Sequence, residues 1–481
     1  MPSFGTIPQR TVKRHIYAPA HRAVAGSGPG FTQETETELR MLLDGRLTPS
    51  RLNPTIAASH GRISIRSIDY RSLIELVLRS TCATDLGMVV GTGTVQSEKE
   101  LRSVISAVEW RLFFEPGANA RVKVRAESNA SRLYHTGILK DAMSEILVAI
   151  GCTESPEDES TDHAVTLRLT NNRLQIVLSL SGERLWRRGY RSSLSAVAPL
   201  REDLAQAAIR RALRFADMLP MSGGSLSTGF DTVLVPFAGS GTLAFESIIA
   251  LCDVPPFVFR DNSHTVASSG YAFERFAFGV PPSVAWLKRR LRSRLRDLFS
   301  GMEKIRLRLV DSYAPACEAS TANWDQFRGR ITQAIASSPS GPEGTAPASP
   351  EPPIDLECLH EDVLVHDWRS FLAQNGGTVF LPLNPPYGKR IRTSESASIY
   401  QRIGRRVDAL AADRGAIAHV AKGVPLSGID DNRRPRVAGF ILCPDESSWR
   451  AFMRAAPSLR SETSHFMQGG MDIRLCAFRN R

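Results

Sequence analysis

The absences in this sequence narrow it first. Its seven cysteines, at positions 82, 152, 252, 317, 358, 443 and 476, include no C-x-x-C pair, and its ten histidines are dispersed without zinc-site spacing. That pattern points to reduced thiols in an intracellular compartment and to no structural metal. No apolar run approaches the ~20 residues that a membrane-spanning helix needs. No Lys-Ser/Thr pair follows the glycines of "FAGSGT", which excludes a phosphate-binding loop. No acidic residue precedes Glu34, whereas Arg10, Lys13, Arg14 and Arg22 all do. An acid-poor, arginine-containing start has the character of a mitochondrial transit segment, or of a short basic arm, over residues 1–30. A mitochondrial location is the expectation, with the cytoplasm as the alternative.

The chain has 481 residues, enough for two or three domains, and 42% of them are hydrophobic, as in globular proteins. Sixty Lys and Arg against 49 Asp and Glu leave a net charge of +11, which favours an acidic partner, nucleic acid first. Between residues 63 and 180 short alternating runs such as "RISIRSIDY" and "ARVKVRAES" interleave with helical ones such as "DAMSEILVAI". "AVTLRLTNNRLQIVLSLSG" reads as a hairpin turning at Asn171–Asn172. This is an α+β region. Pro199, Glu202 and Asp203 mark a helix start, and Leu204, Ala208, Ala212, Phe215 and Leu219 give that helix one apolar face.

From about residue 230 the pattern becomes strand, turn, helix, repeated: "DTVLVPFAGSGTLAFESIIAL", "KIRLRLVDSYAPACEASTANW" and "TVFLPLNPPYG", with later strands in "GAIAHVAKG" and "VAGFILCP". Repeated units of this kind build an α/β domain on a mostly parallel sheet. The Pro/Ser/Gly/Ala-rich stretch from Ala336 to Pro353 reads as a disordered surface insertion without chemistry.

Three places in this domain carry chemistry. Gly239 and Gly241 bracket a tight strand-to-helix turn where a ligand could approach backbone; the alternative is a plain connection. Asp311 ends the next strand, where an acid either accepts from ribose hydroxyls or caps a helix. Asp362 has the same two readings, beside an adenine amino group or in a loop. Asn384, Pro385, Pro386 and Tyr387 follow an apolar strand. An exocyclic base amino group is a weak nucleophile because its lone pair is delocalised. An Asn oxygen and a fixed carbonyl accepting its two N–H bonds turn that lone pair toward an incoming methyl group, the prolines hold the geometry beforehand, and the aromatic ring stacks on the extruded base.

These stretches, in this order, resemble the THUMP-domain RNA guanine-N2 methyltransferases over roughly residues 63 to 480. "VRAESNASRLYHTGILKDAMSEIL" resembles the THUMP signature, and "LSGERLWRRGYR" with "APLREDLAQAAI" the junction into the catalytic domain. "VPFAGSGTLAFESI" resembles the cofactor motif; "YAFERFAF", "VDSYAPACEASTAN", "LNPPYG" and "MQGGMDIRLCAF" complete the series. The resemblance implies a Rossmann-like methyltransferase domain over 191–481, preceded by a ferredoxin-like and THUMP RNA-binding region over 31–190. It implies S-adenosylmethionine as cofactor, held by Gly239, Ser240, Gly241 and Thr242 around the methionine part, by Asp311 at the ribose and by Asp362 near the adenine. Asn384, Pro385, Pro386 and Tyr387 take the base. The partner is RNA, ribosomal before transfer RNA, with ribosomal assembly intermediates as further partners.

Two basic stretches are RNA-binding candidates: Arg184, Arg187, Arg188 and Arg191 with Trp186 and Tyr190, and Lys288, Arg289 and Arg290 in "LKRRLRSRLR". A solvated helix and interdomain packing are the competing readings. Val235 stands where the family usually has an acid that helps hold the cofactor, and Tyr313 replaces a commonly acidic position. The expected activity is therefore methylation of the guanosine 2-amino group. The alternatives are an inactive methyltransferase fold serving as an RNA-binding ribosome-assembly factor and, third, a DNA adenine methyltransferase.

Overall fold

A computed structural model describes residues 7–115, 120–156, 161, 163–191, 199–219, 230–260, 270–338, 351–371, 377–386, 393–412 and 436–481. The chain divides into two units. The first comprises Met1–Gly28, Thr35–Arg188 and Arg260–Arg290, the second Pro29–Glu34, Gly189–Phe259 and Leu291–Arg481. Among the described residues no helix is long and apolar enough to cross a membrane.

The first unit is built on an eight-stranded sheet. Its strands are β1 (His21–Ser27), β2 (Thr55–Ser59), β3 (Arg62–Ile68), β4 (Ala83–Thr94), β5 (Arg121–Asn129), β6 (Thr153–Glu154), β7 (His163–Thr170) and β8 (Arg173–Ser179), in the order β2-β3-β1-β4-β8-β7-β5-β6. The β7–β8 hairpin turns at Asn171 and Asn172, with φ of 50° and 61°, the left-handed pair that a two-residue turn demands and that asparagine tolerates. β5 runs parallel to β7, and the helix Thr136–Ala149 follows it.

Two sequence expectations are corrected in this unit. Residues 7–30 are not a free arm: Val12 and Ile16 are buried, and β1 lies inside the sheet, paired antiparallel with both β3 and β4. A leader cleaved at residue 30 would remove a central strand. The second correction concerns Arg260–Arg290, which the sequence assigns to the catalytic domain. Its backbone N–H groups at Ala277 and Phe278 donate to the carbonyls of Phe113 and Leu112, and that at Phe273 to Leu180. Arg260 lies 4.6 Å from the Tyr271 ring centre. These pairings tie the segment to the first unit.

The second unit carries a seven-stranded sheet: β9 (Thr232–Pro236), β10 (Ile305–Asp311), β11 (Ile354–His360), β12 (Thr378–Leu383), β13 (Arg436–Cys443), β14 (Leu459–Gln468) and β15 (Met471–Asn480). The order is β11-β10-β9-β12-β13-β15-β14. The first five are parallel, and the β14–β15 hairpin closes the sheet antiparallel. The central strands β9, β12 and β13 are apolar almost throughout, as parallel strands covered on both faces must be; every residue of β9 and β12 is buried. The sheet order reverses between β9 and β12, and the crevice beyond the carboxyl ends of such strands is where open α/β sheets bind ligands. The expected strand in "GAIAHVAKG" and most of the expected insertion, residues 339–350, lie outside the described residues; Ala336 itself closes the helix Ala314–Ala336.

The helix Glu446–Ala455 after β13 is capped by Asp445, whose carboxylate accepts from the Ser448 N–H at 2.8 Å. Burial pushes this carboxyl up, but hydrogen bonds from Ser448 and Ser447 outweigh it and hold it below the usual carboxylate value. A depressed folded value means the cap stabilises above the ordinary carboxyl titration and is lost as pH falls through the folded one. Asp445→Ala is expected to cost about 1 kcal/mol at neutral pH and nothing once both proteins are acidified past that point. Urea unfolding at the two pH values checks it.

Candidate functional site

At the reversal point lies a cavity of about 580 Å³, in the range of small-molecule sites. It is lined from the turn after β9 by Phe237, Ala238, Gly239, Ser240 and Thr242, from the end of β10 and just beyond by Asp311, Ser312 and Tyr313, from the segment after β11 by Asp362, and from the segment after β12 by Asn384 and Pro386. The structure thus brings together, within the second unit, candidates spread over almost 150 positions of sequence.

The turn after β9 is the floor. Gly239 and Gly241 both have left-handed φ, +55° and +81°; a Cβ at Gly239 would project into open space, while one at Gly241 would meet the Phe245 ring at 2.6 Å. The first glycine therefore leaves the backbone bare toward the cavity, and the second lets the helix Thr242–Leu251 start against its own fourth residue, Phe245. Phe237 also has positive φ, +64°, although it is not glycine. Such strain costs of order 1–3 kcal/mol and is characteristic of functional turns.

Asp311 clamps this turn. One carboxylate oxygen accepts the Gly239 N–H at 2.8 Å and the other the Tyr313 N–H at 2.9 Å. The turn's carbonyls are held from the next helix, Gly239 O by the Ser320 hydroxyl at 2.8 Å and Ser240 O by the Asn323 amide at 3.0 Å. Asp362 is exposed and accepts from the Leu364 N–H at 2.8 Å. Asn384 and Pro386 are half-buried and Pro385 is buried. The Asn384 Oδ1 atom is shielded from solvent, and among the described residues no donor reaches it. Tyr387 lies outside the described residues. Val235 is fully buried in β9, paired with Leu309, and does not line the cavity.

The basic candidates separate sharply. Arg188 is not a surface residue: it is fully buried, and its guanidinium donates to the carbonyls of Leu185 and Thr81. Tyr190 is likewise buried, its hydroxyl donating to Glu246 at 2.8 Å. Arg191 pairs with buried Glu202 at 2.7 Å and donates to Leu200 O at 2.9 Å and Thr242 Oγ1 at 3.2 Å, so it braces the cofactor-type turn. Arg184 pairs with Asp85, and Lys288 with Glu274 at 2.6 Å. Arg187 is exposed, pairs with Glu183 at 3.1 Å and lies over Trp186. Arg289 and Arg290 are exposed. Sequence reasoning missed Phe237, Ser320, Asn323 and the bracing role of Arg191. The three-residue spacing of Ser320 and Asn323, which puts both on one helix face, was the available signal.

No protein-family model matches the chain. It is similar to the ribosomal RNA large subunit methyltransferase K/L of Saccharophagus degradans, 27% identical over 273 residues, covering 56% of this chain and 34% of that protein. The chain spans about a third of the length of that relative. Among solved structures it is similar to a protein described as a methyltransferase and crystallised with SAH, with a TM-score of 0.62 at 18% identity over 96% of this chain and 98% of that one. It is also similar to TrmN from Thermus thermophilus, with a TM-score of 0.54 at 17% identity over 96% and 100% of the two chains. The chain is therefore similar in sequence to proteins named as ribosomal RNA large subunit methyltransferases, and it shares the Rossmann-like fold of these solved structures.

Proposed function

We propose that this protein methylates RNA with S-adenosylmethionine as cofactor, and that the acceptor is the 2-amino group of a guanosine in ribosomal RNA. The observation that carries this reading is the Asn384 oxygen: a solvent-shielded acceptor that no donor among the described residues reaches, on the wall of the cavity that the glycine turn floors. A buried unsatisfied acceptor is costly, and a substrate N–H is what would satisfy it. The relatives' names support RNA, and ribosomal RNA in particular, as substrate.

The residues present fit the cofactor. The bare backbone at Gly239 gives close approach, the N-terminus of the helix starting at Thr242 favours a carboxylate, and the Asp311 carboxylate retains lone pairs for ribose hydroxyls beyond the two N–H groups it already accepts. S-adenosylmethionine would supply an electrophilic methyl group. Asn384 Oδ1 and the Pro385 carbonyl would accept the two N–H bonds of the amino group and fix the direction of its lone pair. Proton loss follows attack, so no strong base is required.

A second reading rests on Val235. An isopropyl group fills the core where the family usually places the acid that holds the cofactor, which suits an RNA-binding scaffold without activity. One experiment separates the two: calorimetric titration of S-adenosylmethionine into the full chain, with and without RNA. Micromolar to submillimolar binding is expected. Silence at millimolar cofactor in both conditions would overturn the enzyme reading in favour of the scaffold.

A further inference from the structure

The basic run of the helix Pro282–Ser300 splits into two classes when its side-chain partners are traced. Lys288 pairs with Glu274, Arg294 with Asp253 at 3.1 Å and Arg296 with Asp297 at 2.8 Å; the Arg292 guanidinium lies 5.6 Å from the Phe257 ring centre. Folding accounts for these four. Arg289 and Arg290 are exposed, and among the described residues no acid or carbonyl holds either. Val284, Leu287, Leu291 and Leu295 form the buried stripe. At 100° per residue Arg289 and Arg290 fall opposite it, with Trp286, one turn earlier, between them. Trp286 is 42% exposed, the most exposed tryptophan among the described residues. Exposed Arg71 lines the same small crevice as Ser283 and Leu287, at the edge of this face.

We infer that Trp286, Arg289, Arg290 and Arg71 form a binding surface for an unpaired segment of RNA, with the arginines on phosphates and the indole stacked on a base. The argument is chemical. Two adjacent guanidiniums without a counter-charge among the described residues suit a phosphate chain rather than a surface with isolated carboxylates. An aromatic face between them is the stacking platform that distinguishes single-strand binding from simple attraction to a duplex. The net charge of +11 has the same sign. This surface rests on the RNA reading given above and extends it from the base site to the chain that carries the base.

The test uses the full-length protein, a fluorescently labelled 30-nucleotide single-stranded RNA of mixed sequence and the matching duplex, with anisotropy read across a salt series. The charge-reversed pair Arg289→Glu/Arg290→Glu is expected to weaken single-strand binding at least tenfold. It should also make the slope of log affinity against log salt shallower by about 0.7 for each phosphate that is no longer neutralised. Trp286→Ala should weaken single-strand binding at least fivefold and duplex binding little, and Trp286→Phe should restore it. Cofactor affinity, measured on the same variants by calorimetry, should stay unchanged. Wild-type-like affinity and slope in the charge-reversed pair would overturn the surface while leaving the RNA reading intact. Failure of the wild-type protein to bind either RNA would overturn both. Loss of a bound protein in the variants with RNA affinity unchanged would make the face a protein-docking site and overturn the proposal.

Discussion

Replacing Asn384 with alanine is expected to lower kcat for RNA methylation by about 10²–10³ while leaving cofactor affinity within about twofold. The first figure is what removal of a single preorganised hydrogen-bonding group from a reacting centre costs in other enzymes. The second follows from position: Asn384 stands on the β12 side of the cavity, and the cofactor-type contacts come from the turn after β9 and from Asp311. Stability should move the other way from activity. The Oδ1 atom is shielded and, among the described residues, accepts nothing, so deleting it is expected to remove a desolvation cost of about 1–3 kcal/mol. The unfolding midpoint of the free variant should be unchanged or higher than that of the parent. Single-turnover methylation, calorimetry and chemical unfolding on one preparation read all three quantities. A variant that methylates normally would remove Asn384 from the base site. A variant that loses cofactor affinity would move it to the cofactor site, because kcat would then fall through binding rather than through positioning.

The same contrast between local and distant causes decides what the sequence disclosed. The strand before the glycine turn, the acid that ends β10 and the Asn-Pro-Pro step after β12 are each written in a few adjacent residues. Apolar runs set the strands, and glycine and proline fix the backbone where they stop. What was not legible depends on partners far along the chain. Nothing in "HRAVAGS" separates β1 from a basic arm, because its strand character comes from pairing with β3 and β4. Nothing in "ERLWRRGYR" distinguishes Arg187, in solvent, from Arg188, whose guanidinium is fully buried against the carbonyl of Thr81, over a hundred positions earlier. Arginine reads as surface by default because its charge is costly to bury unless it is hydrogen-bonded, and the groups that satisfy it here are backbone carbonyls, which carry no sequence signal. The allegiance of Arg260–Arg290 was hidden for the same reason: the carbonyls of Leu112, Phe113 and Leu180 hold it.

Asp311 offers the complementary experiment. Its two oxygens accept the N–H groups of Gly239 and Tyr313 at 2.8 and 2.9 Å, so the carboxylate both shapes the turn and presents remaining lone pairs to the cavity. Hydrogen bonds to a charged group contribute about 1.5–3 kcal/mol each. Asp311→Ala removes both clamps together with any bond to the ribose, and cofactor affinity should fall at least a hundredfold. Asp311→Asn keeps one carbonyl oxygen and replaces the other with a donor facing an N–H group. It should lose roughly tenfold or more and remain better than alanine, the order expected of an acceptor defined by its oxygens. Ser320→Ala deletes a neutral hydrogen bond to the Gly239 carbonyl from the opposite side and should cost only about 1 kcal/mol, well short of the effect of Asp311→Ala. RNA binding by all three variants should match the parent, since none of them touches Arg289, Arg290 or Trp286. Calorimetry with S-adenosylmethionine, beside anisotropy with the single-stranded RNA, gives the ranking. Parent-like cofactor affinity in Asp311→Ala would show that the acid is a structural clamp alone. The ribose hydroxyls would then have to be met from the neighbouring backbone, where Tyr313 stands in place of a second acid.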